Sequence, residues 1–252
     1  MSHPRLRPGL HVVRRDDDHL QVGVDPPWRV VLPDQPDVRR LLDDLVSGRP
    51  ARPDSPAAHR ALADLHRAGL LVEPVVRRGA VRVAVEGGGV TAAEAVRILR
   101  AAGGEVVAAE DAEVALVVAD GEPRRTDVDT HLRDGRTHVV VGAAPSGFTV
   151  GPFVVPGWTA CLRCVDAHRG QHDPRRAVVV EQVGGLAGEA HDAGLTALVA
   201  AWAVRDVLSY AEGGRPSTWS ATVTIGPDLA PRTDSWLRHP HCGCSWAEGL
   251  VG

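Results

Sequence analysis

Short apolar runs separated by turn residues fill the first 75 residues of the chain. Runs of β-branched residues predict strands, and runs with apolar residues three or four positions apart predict helices. Ser55 followed by Pro56 marks the start of the second helix, because proline suits the first helical turn. The order of these elements is that of a winged helix, so we predict a separate winged-helix unit over residues 1–75. The predicted strands are 11–15, 20–24, 28–32 and 70–72, and the predicted helices are 37–46 and 56–68.

The pattern changes after a short link at residues 75–80. Strands rich in valine and alanine then alternate with helical segments, and this order predicts a mostly parallel sheet with covering helices. We therefore predict a second α/β domain over residues 80–252. Its predicted strands are 81–85, 105–108, 115–119, 137–141, 148–155 and 220–225, and its predicted helices are 91–102, 129–133 and 194–211.

Composition and charge exclude several classes of protein. The formal net charge is only -4, which argues against a broad nucleic-acid-binding surface. The longest strongly apolar run, Leu195–Val204, covers about half of what a membrane span needs. The first residues form no hydrophobic signal region, so we expect a cytoplasmic protein.

The basic residues are all of one kind. All 28 are arginine, and the chain contains no lysine. Schiff-base chemistry and a phosphate-loop lysine are therefore excluded.

A glycine turn follows the first strand of the second domain. Gly87 and Gly89, with Ala92 in the third place, match the G-x-G-x-x-G/A pattern of dinucleotide-binding turns. Glu110 lies about twenty residues further on, where an acidic group meets a ribose hydroxyl. A tight turn without a ligand is the alternative. Glu86 would repel a phosphate unless its side chain points away.

The four cysteines form two close pairs. Cys161 and Cys164 are separated by two residues, and Cys242 and Cys244 by one. The first spacing is typical of a zinc knuckle, and the second pair completes a set of four sulfur ligands. We therefore expect a zinc ion that ties the end of the chain to a loop in its middle. Two disulfides, idle thiols and a Cys-x-x-Cys redox site are the alternatives, and the redox site leaves the second pair unexplained.

The cysteine segments carry a resemblance to a known family. Residues 151–164 together with His239–Cys244 resemble the ThiF/MoeB superfamily, which includes relatives of ubiquitin-activating enzymes. The branch found beside thiazole- and oxazole-forming cyclodehydratases of ribosomal peptide natural products is more similar still. Its members share segments like Arg7–Leu10, Leu20–Val24 and Val165–Arg169. The resemblance covers nearly the whole chain.

This resemblance implies a Rossmann-like ThiF-type domain with a four-cysteine zinc site, and a homodimer. It also implies that the winged-helix unit is a peptide-recognition element, which holds the leader peptide of a precursor for a cyclodehydratase-type enzyme. Active superfamily members hold ATP with arginine, asparagine and lysine side chains. Residues 105–119 contain no arginine or asparagine, although Asp120 stands where the family places a magnesium-binding aspartate.

The missing lysine therefore favours a non-catalytic partner protein that binds a leader peptide. An active ATP-dependent adenylyltransferase, with ATP and Mg2+ as cofactors, is the alternative. A winged-helix transcription regulator is the second alternative, but the predicted helix 56–68 carries few basic residues for DNA.

Other polar residues have simpler expected roles. We expect Asp166 and His168 to form a local hydrogen bond at a helix start, and Arg124–Arg125 and Arg175–Arg176 to be solvated charges. Trp236 and Trp246 bracket the second cysteine pair and are expected to shield it.

Overall fold

The computed structural model describes residues 3–73, 80–144, 147–186, 188 and 192–244. The chain divides into two compact units, Met1–Val76 and Arg77–Gly252. Apart from Ala80, the predicted link at residues 75–80 lies outside the described residues.

The first unit combines two small antiparallel sheets with two helices. Its described elements are β1 (Arg5–Leu6), β2 (Val12–Arg14), β3 (His19–Val22), β4 (Val30–Pro33), α1 (Pro36–Ser47), α2 (Pro56–Arg67) and β5 (Leu71–Val72). Strands β2, β3 and β4 form one sheet in that order, and β1 pairs with β5. The sequence did not predict β1, because a two-residue strand carries almost no pattern. The winged-helix assignment of this unit stays a prediction.

The helices of the first unit follow from their apolar stripes and their ends. Helix α1 ends at Gly48, whose φ of 69° is the left-handed conformation that glycine adopts without strain. Helix α2 begins at Ser55, whose side chain accepts a hydrogen bond of 3.0 Å from the backbone N–H of Ala58. Both helices bury one face against the sheets. The buried apolar residues of α1 are Val38, Leu41, Leu42 and Leu45, and those of α2 are Ala58, Ala61 and Leu65.

The second unit is built on a seven-stranded sheet. Its described elements are β6 (Arg82–Glu86), α3 (Gly89–Ala101), β7 (Glu105–Val106), β8 (Val114–Ala119), α4 (Arg125–Arg133), β9 (His138–Ala144), β10 (Gly147–Val154), α5 (Leu162–Gly170), α6 (Arg176–Val183), α7 (Ala193–Ala211), β11 (Ala221–Ile225) and β12 (Arg232–Ser235). The strand order is β12-β11-β10-β9-β8-β6-β7. Strands β6 to β9 are parallel, whereas β10, β11 and β12 continue the sheet with antiparallel pairing. The sheet is therefore mixed, and the predicted parallel arrangement applies to four of its strands.

Both faces of the central strands are buried. Leu116 of β8 lies in a core with residues of α3 and α7, whereas Val117 beside it packs with residues of α4 and α5. This two-sided burial explains why the sequences of the central strands are continuous apolar runs. None of the described helices is both long enough and apolar enough to cross a membrane.

Three elements of the second unit were not predicted, and one was predicted too short. Helices α5 and α6 and strand β12 had no clear periodic signal, and α4 begins at Arg125 instead of Asp129. Cys161 is the residue that precedes α5, and Cys164 lies in its first turn. The first cysteine pair therefore stands at the start of a helix, which corrects the expected loop.

Two buried histidines lie between α4 and the sheet. His131 is hydrogen-bonded through Nε2 to the carboxylate of Glu86, at 3.0 Å. The His138 Nδ1–H donates to the carbonyl of Arg136, at 2.9 Å, and the two rings lie 5.2 Å apart. Burial lowers the pKa of His138 to about 4 from 6.5. His138 is therefore neutral near pH 7.

Acid should destabilise the second unit through His138. Because its pKa is lower in the folded chain, its contribution to stability is complete above pH 6.5 and is lost as the pH falls to about 4. The full loss corresponds to about 3 kcal/mol. We expect His138→Gln, which cannot be protonated, to lose less stability than the wild type between pH 7 and pH 5 in urea unfolding. The same substitution at exposed His172 is the control, and equal acid sensitivity of wild type and His138→Gln would contradict the prediction.

Candidate metal centre

The structure brings all four cysteines together. The Sγ atoms of Cys161, Cys164, Cys242 and Cys244 all lie within 4.8 Å of one another, and no two of them form a disulfide. The first pair is fully buried, and the second pair is partly buried. Two segments about eighty residues apart thus meet in one cluster, as their spacing predicted.

The sulfur–sulfur distances suit a tetrahedral metal ion. Cys161 Sγ lies 3.7 Å from Cys164 Sγ and 3.3 Å from Cys242 Sγ, and Cys164 Sγ lies 3.4 Å from Cys244 Sγ. With a zinc–sulfur bond of about 2.3 Å, a regular tetrahedron has edges of about 3.8 Å. The cluster can therefore bind a metal ion such as zinc.

The cluster does not hold four equivalent thiolates by itself. Hydrogen bonds with Cys164 and Cys242, and then burial, raise the pKa of Cys161. The pKa of Cys164 is lowered, because it accepts hydrogen bonds from the Cys161 thiol and from the backbone N–H of His239. Only a cation can stabilise all four negative charges so close together, because a bound metal deprotonates its thiol ligands.

Helix α5 positions the first pair of ligands. Arg163 stands between the two cysteines and donates hydrogen bonds to Asp129 on α4 and to Glu181 on α6. The hydrogen bond with Asp129, and next the one with Glu181, raises the pKa of Arg163. These ion pairs tie three helices together at the metal centre.

The histidines near the cysteines support the cluster and are not among its ligands in the described residues. The backbone N–H of His239 donates to Cys164 Sγ at 3.2 Å. His168 Nε2 donates to the carbonyl of Leu237, at 2.9 Å, which holds the second cysteine segment against α5. Trp236 packs against the cluster, as expected, whereas Trp246 lies outside the described residues.

The glycine turn has structural reasons of its own. Gly87 has a φ of 117°, and a Cβ built on it would lie 1.9 Å from the carbonyl oxygen of Val118. Gly89 has a φ of 75°, and a Cβ there would lie 2.6 Å from a carboxylate oxygen of Asp120. Ala92 is buried in α3. These contacts require small residues at the turn without any ligand.

Acidic side chains lie around this turn, so a nucleotide phosphate would fit there only together with a cation such as Mg2+. The Asp120 carboxylate lies against Gly89 at the start of α3, where a phosphate would approach the helix. The Glu86 carboxylate is hydrogen-bonded to His131, so this residue does not add the repulsion of a phosphate that its position in the sequence suggested. Glu110 is exposed on the short 3-10 helix Ala109–Asp111. The chain has no lysine to offset the Asp120 charge.

A buried ion-pair network lies beside α5. Arg125, expected to be solvated, is only 2% exposed. It donates to both carboxylate oxygens of Asp166, at 2.6 and 2.9 Å, and to Glu122 at 2.6 Å. Asp166 therefore pairs with Arg125, and not with His168 as expected. Burial would lower the pKa of Arg125, but the hydrogen bonds and charges of Asp166 and Glu122 outweigh it and raise the pKa.

The structure is that of a mixed α/β protein whose four clustered thiols could hold a metal ion. No protein-family model matches the sequence, and no curated protein matches it. Solved structures do share its fold. One is the heterocyclase TruD, with a TM-score of 0.71, 19% identity, and coverage of 99% of this chain and 44% of the other. A heterocyclase in complex with substrate and cofactor gives a TM-score of 0.69 at 17% identity, over 100% of this chain and 40% of the other.

The third similar structure is MccB from E. coli. Its TM-score is 0.63 at 13% identity, and the alignment covers 97% of both chains. This chain thus spans less than half of the heterocyclases and nearly all of MccB. At these identities the comparisons establish the shared fold, which fits the resemblance to the ThiF/MoeB superfamily.

Proposed function

We propose that this chain is a non-catalytic partner protein that binds the leader peptide of a precursor and presents it to a cyclodehydratase-type enzyme. The first unit holds the peptide, and a zinc ion bound by the four cysteines stabilises the second. One observation carries the proposal: strand β4 is an edge strand beside a helix. Among the described strands it pairs only with β3, and α2 contacts it.

An edge strand binds an extended peptide as an additional strand. The backbone groups of its open edge give affinity, and pockets beside it select side chains. Trp28 is 43% exposed just before β4, and Val31 in its middle is 41% exposed. Apolar side chains that stay exposed on such an edge are typical of a binding surface.

The similar structures support this assignment. One contains MccB with N-formylated MccA, and one contains a heterocyclase with its substrate. The heterocyclase chains are more than twice as long as this one. We infer that a separate enzyme supplies the modifying activity that those longer chains contain.

Strands β2 and β4 offer a matched test of the binding edge. Both pair with β3, and Val13 of β2 and Val31 of β4 lie opposite the same residue, Gln21. Both side chains are exposed, at 48% and 41%. A lysine blocks the addition of a strand at an edge. We expect Val31→Lys to weaken binding of fluorescein-labelled leader peptide at least about tenfold, the equivalent of 1.4 kcal/mol, and Val13→Lys to leave it within a factor of two.

Fluorescence polarisation with leader peptides encoded beside this chain's gene measures the effect. Loss of binding in Val13→Lys alone would place the peptide on β2. No binding by the wild-type chain would refute the proposal. ATP–pyrophosphate exchange by the purified chain would identify the adenylyltransferase instead.

A further inference from the structure

Three arginines surround two acidic residues beside α5. Arg125 occupies both oxygens of Asp166 and one oxygen of Glu122. Arg176 Nε lies 3.5 Å from Asp166, is shielded from solvent and forms no hydrogen bond with the described residues. Arg125 therefore uses most of the carboxylate oxygens of Asp166 and Glu122, and few acceptors remain for Arg176 and for the third arginine, Arg169.

The Arg169 side chain has no hydrogen-bond partner among the described residues. It lies in the last turn of α5, and its guanidinium carbon is 5.2 Å from the ring centroid of Trp236. Within the described part of the chain, no hydrogen bond or ion pair reaches this guanidinium. Burial lowers the pKa of Arg169, and the like charge of Arg176 lowers it further. The five N–H donors of Arg169 are thus partly removed from water without gaining a protein acceptor, and this desolvation costs free energy.

A small cavity lies in front of Arg169, between α5 and the sheet. Its volume of about 40 Å3 has room for one small polar group. The hydroxyl of Thr222 accepts a hydrogen bond of 2.9 Å from the Trp236 indole, so its own proton is free to be donated into the cavity. The lining includes Glu122, Arg125, Thr149, Arg169 and Thr222.

The charge of this cavity is mixed but favours an anion. Glu122 contributes a carboxylate to the lining, and this carboxylate is paired with Arg125. Asp234 and Asp166 attract Arg169 electrostatically but form no hydrogen bond with it among the described contacts. The Arg169 guanidinium and the Thr222 hydroxyl, which both line the cavity, are groups of the kind that bind carboxylates and phosphates in proteins.

We propose that Arg169, together with the Thr222 hydroxyl, forms a binding site for a small oxyanion with the chemistry of phosphate or a carboxylate. The site is distinct from the metal centre and from the peptide edge of the first unit. It does not depend on the function proposed above.

Isothermal titration calorimetry of the zinc-loaded full chain tests the site, with inorganic phosphate and acetate as separate probes at constant ionic strength. We expect saturable binding of one of them with a dissociation constant of about 1 mM or tighter. Arg169→Gln should weaken it at least tenfold. Arg97→Gln is the matched control, because Arg97 pairs with Glu94 on the exposed surface of α3. Binding of phosphate alone indicates a tetrahedral oxyanion, and binding of acetate a carboxylate.

Two results would overturn the proposal. One is the absence of saturable heat for both anions with the wild-type chain, and the other is unchanged affinity in Arg169→Gln. If Arg169→Gln does not fold, protection of wild-type arginines from phenylglyoxal gives the answer. The bound anion should slow modification of Arg169 and leave Arg97 unprotected, and equal rates with and without the anion would exclude the site.

Discussion

Replacement of Cys161 by serine is expected to abolish metal binding and to unfold or loosen the second unit. Cys161 is completely buried and lies within 3.7 Å of two other thiols, so serine removes one of the four sulfur ligands from the centre of the cluster. Structural zinc contributes about 10–16 kcal/mol of apparent binding free energy in small zinc-binding peptides. That exceeds the whole stability of most domains, which is about 5–15 kcal/mol. Inductively coupled plasma mass spectrometry and thermal unfolding measure the two effects.

A conservative variant separates loss of a ligand from loss of packing. Cys244→His places an imidazole at the partly exposed end of the cluster and keeps four ligands of the kind zinc binds. We expect it to retain one zinc per chain and most of the thermal stability. A soluble Cys161→Ser protein that unfolds at the wild-type temperature would show that the cluster holds no structural metal.

Replacement of Arg125 by methionine should cost about 3–5 kcal/mol of unfolding free energy. The substitution leaves the largely buried Asp166 carboxylate with only its longer 3.5 Å contact to Arg176, and a poorly compensated buried charge is strongly destabilising. In a domain of this size the unfolding temperature should fall by about 6–20 °C. Differential scanning calorimetry measures the shift.

The exposed pair on α3 is the comparison for this variant. Arg97→Met removes an ion pair with Glu94 whose arginine stays largely in water, so we expect little change in stability. Similar unfolding temperatures for Arg125→Met and Arg97→Met would mean that the buried network adds nothing.

Local patterns predicted much of the fold because their signals lie within single elements. The stripe of Val38, Leu41 and Leu45 specified α1, and the Ser55–Pro56 pair specified the start of α2. Residues 162–170 have no comparable stripe. This segment is helical because contacts such as the ion pair between Arg163 and Asp129 hold it against other helices.

The buried charges were predicted least well. Arg125 belongs to a pair of arginines, and charged residues are mostly solvent-exposed, so the sequence indicated a surface position. Its partner Asp166 lies 41 residues away, and no local pattern connects the two. Arg169 likewise showed no sign of its burial beside Trp236.

The sequence by itself determined the ligand chemistry, the absence of lysine and most of the strands and helices, since each depends on residue type or short-range spacing. Only the tertiary structure decided that the first cysteine pair lies at the start of a helix, that the sheet becomes antiparallel beyond β9, and which arginines are buried. Several of these features depend on contacts between residues far apart in the sequence, such as the ion pair of Arg125 with Asp166, 41 positions away, and the pairing of β10 with β11. Such pairings follow from the packing of whole elements, because the chemistry of either partner alone does not specify the other.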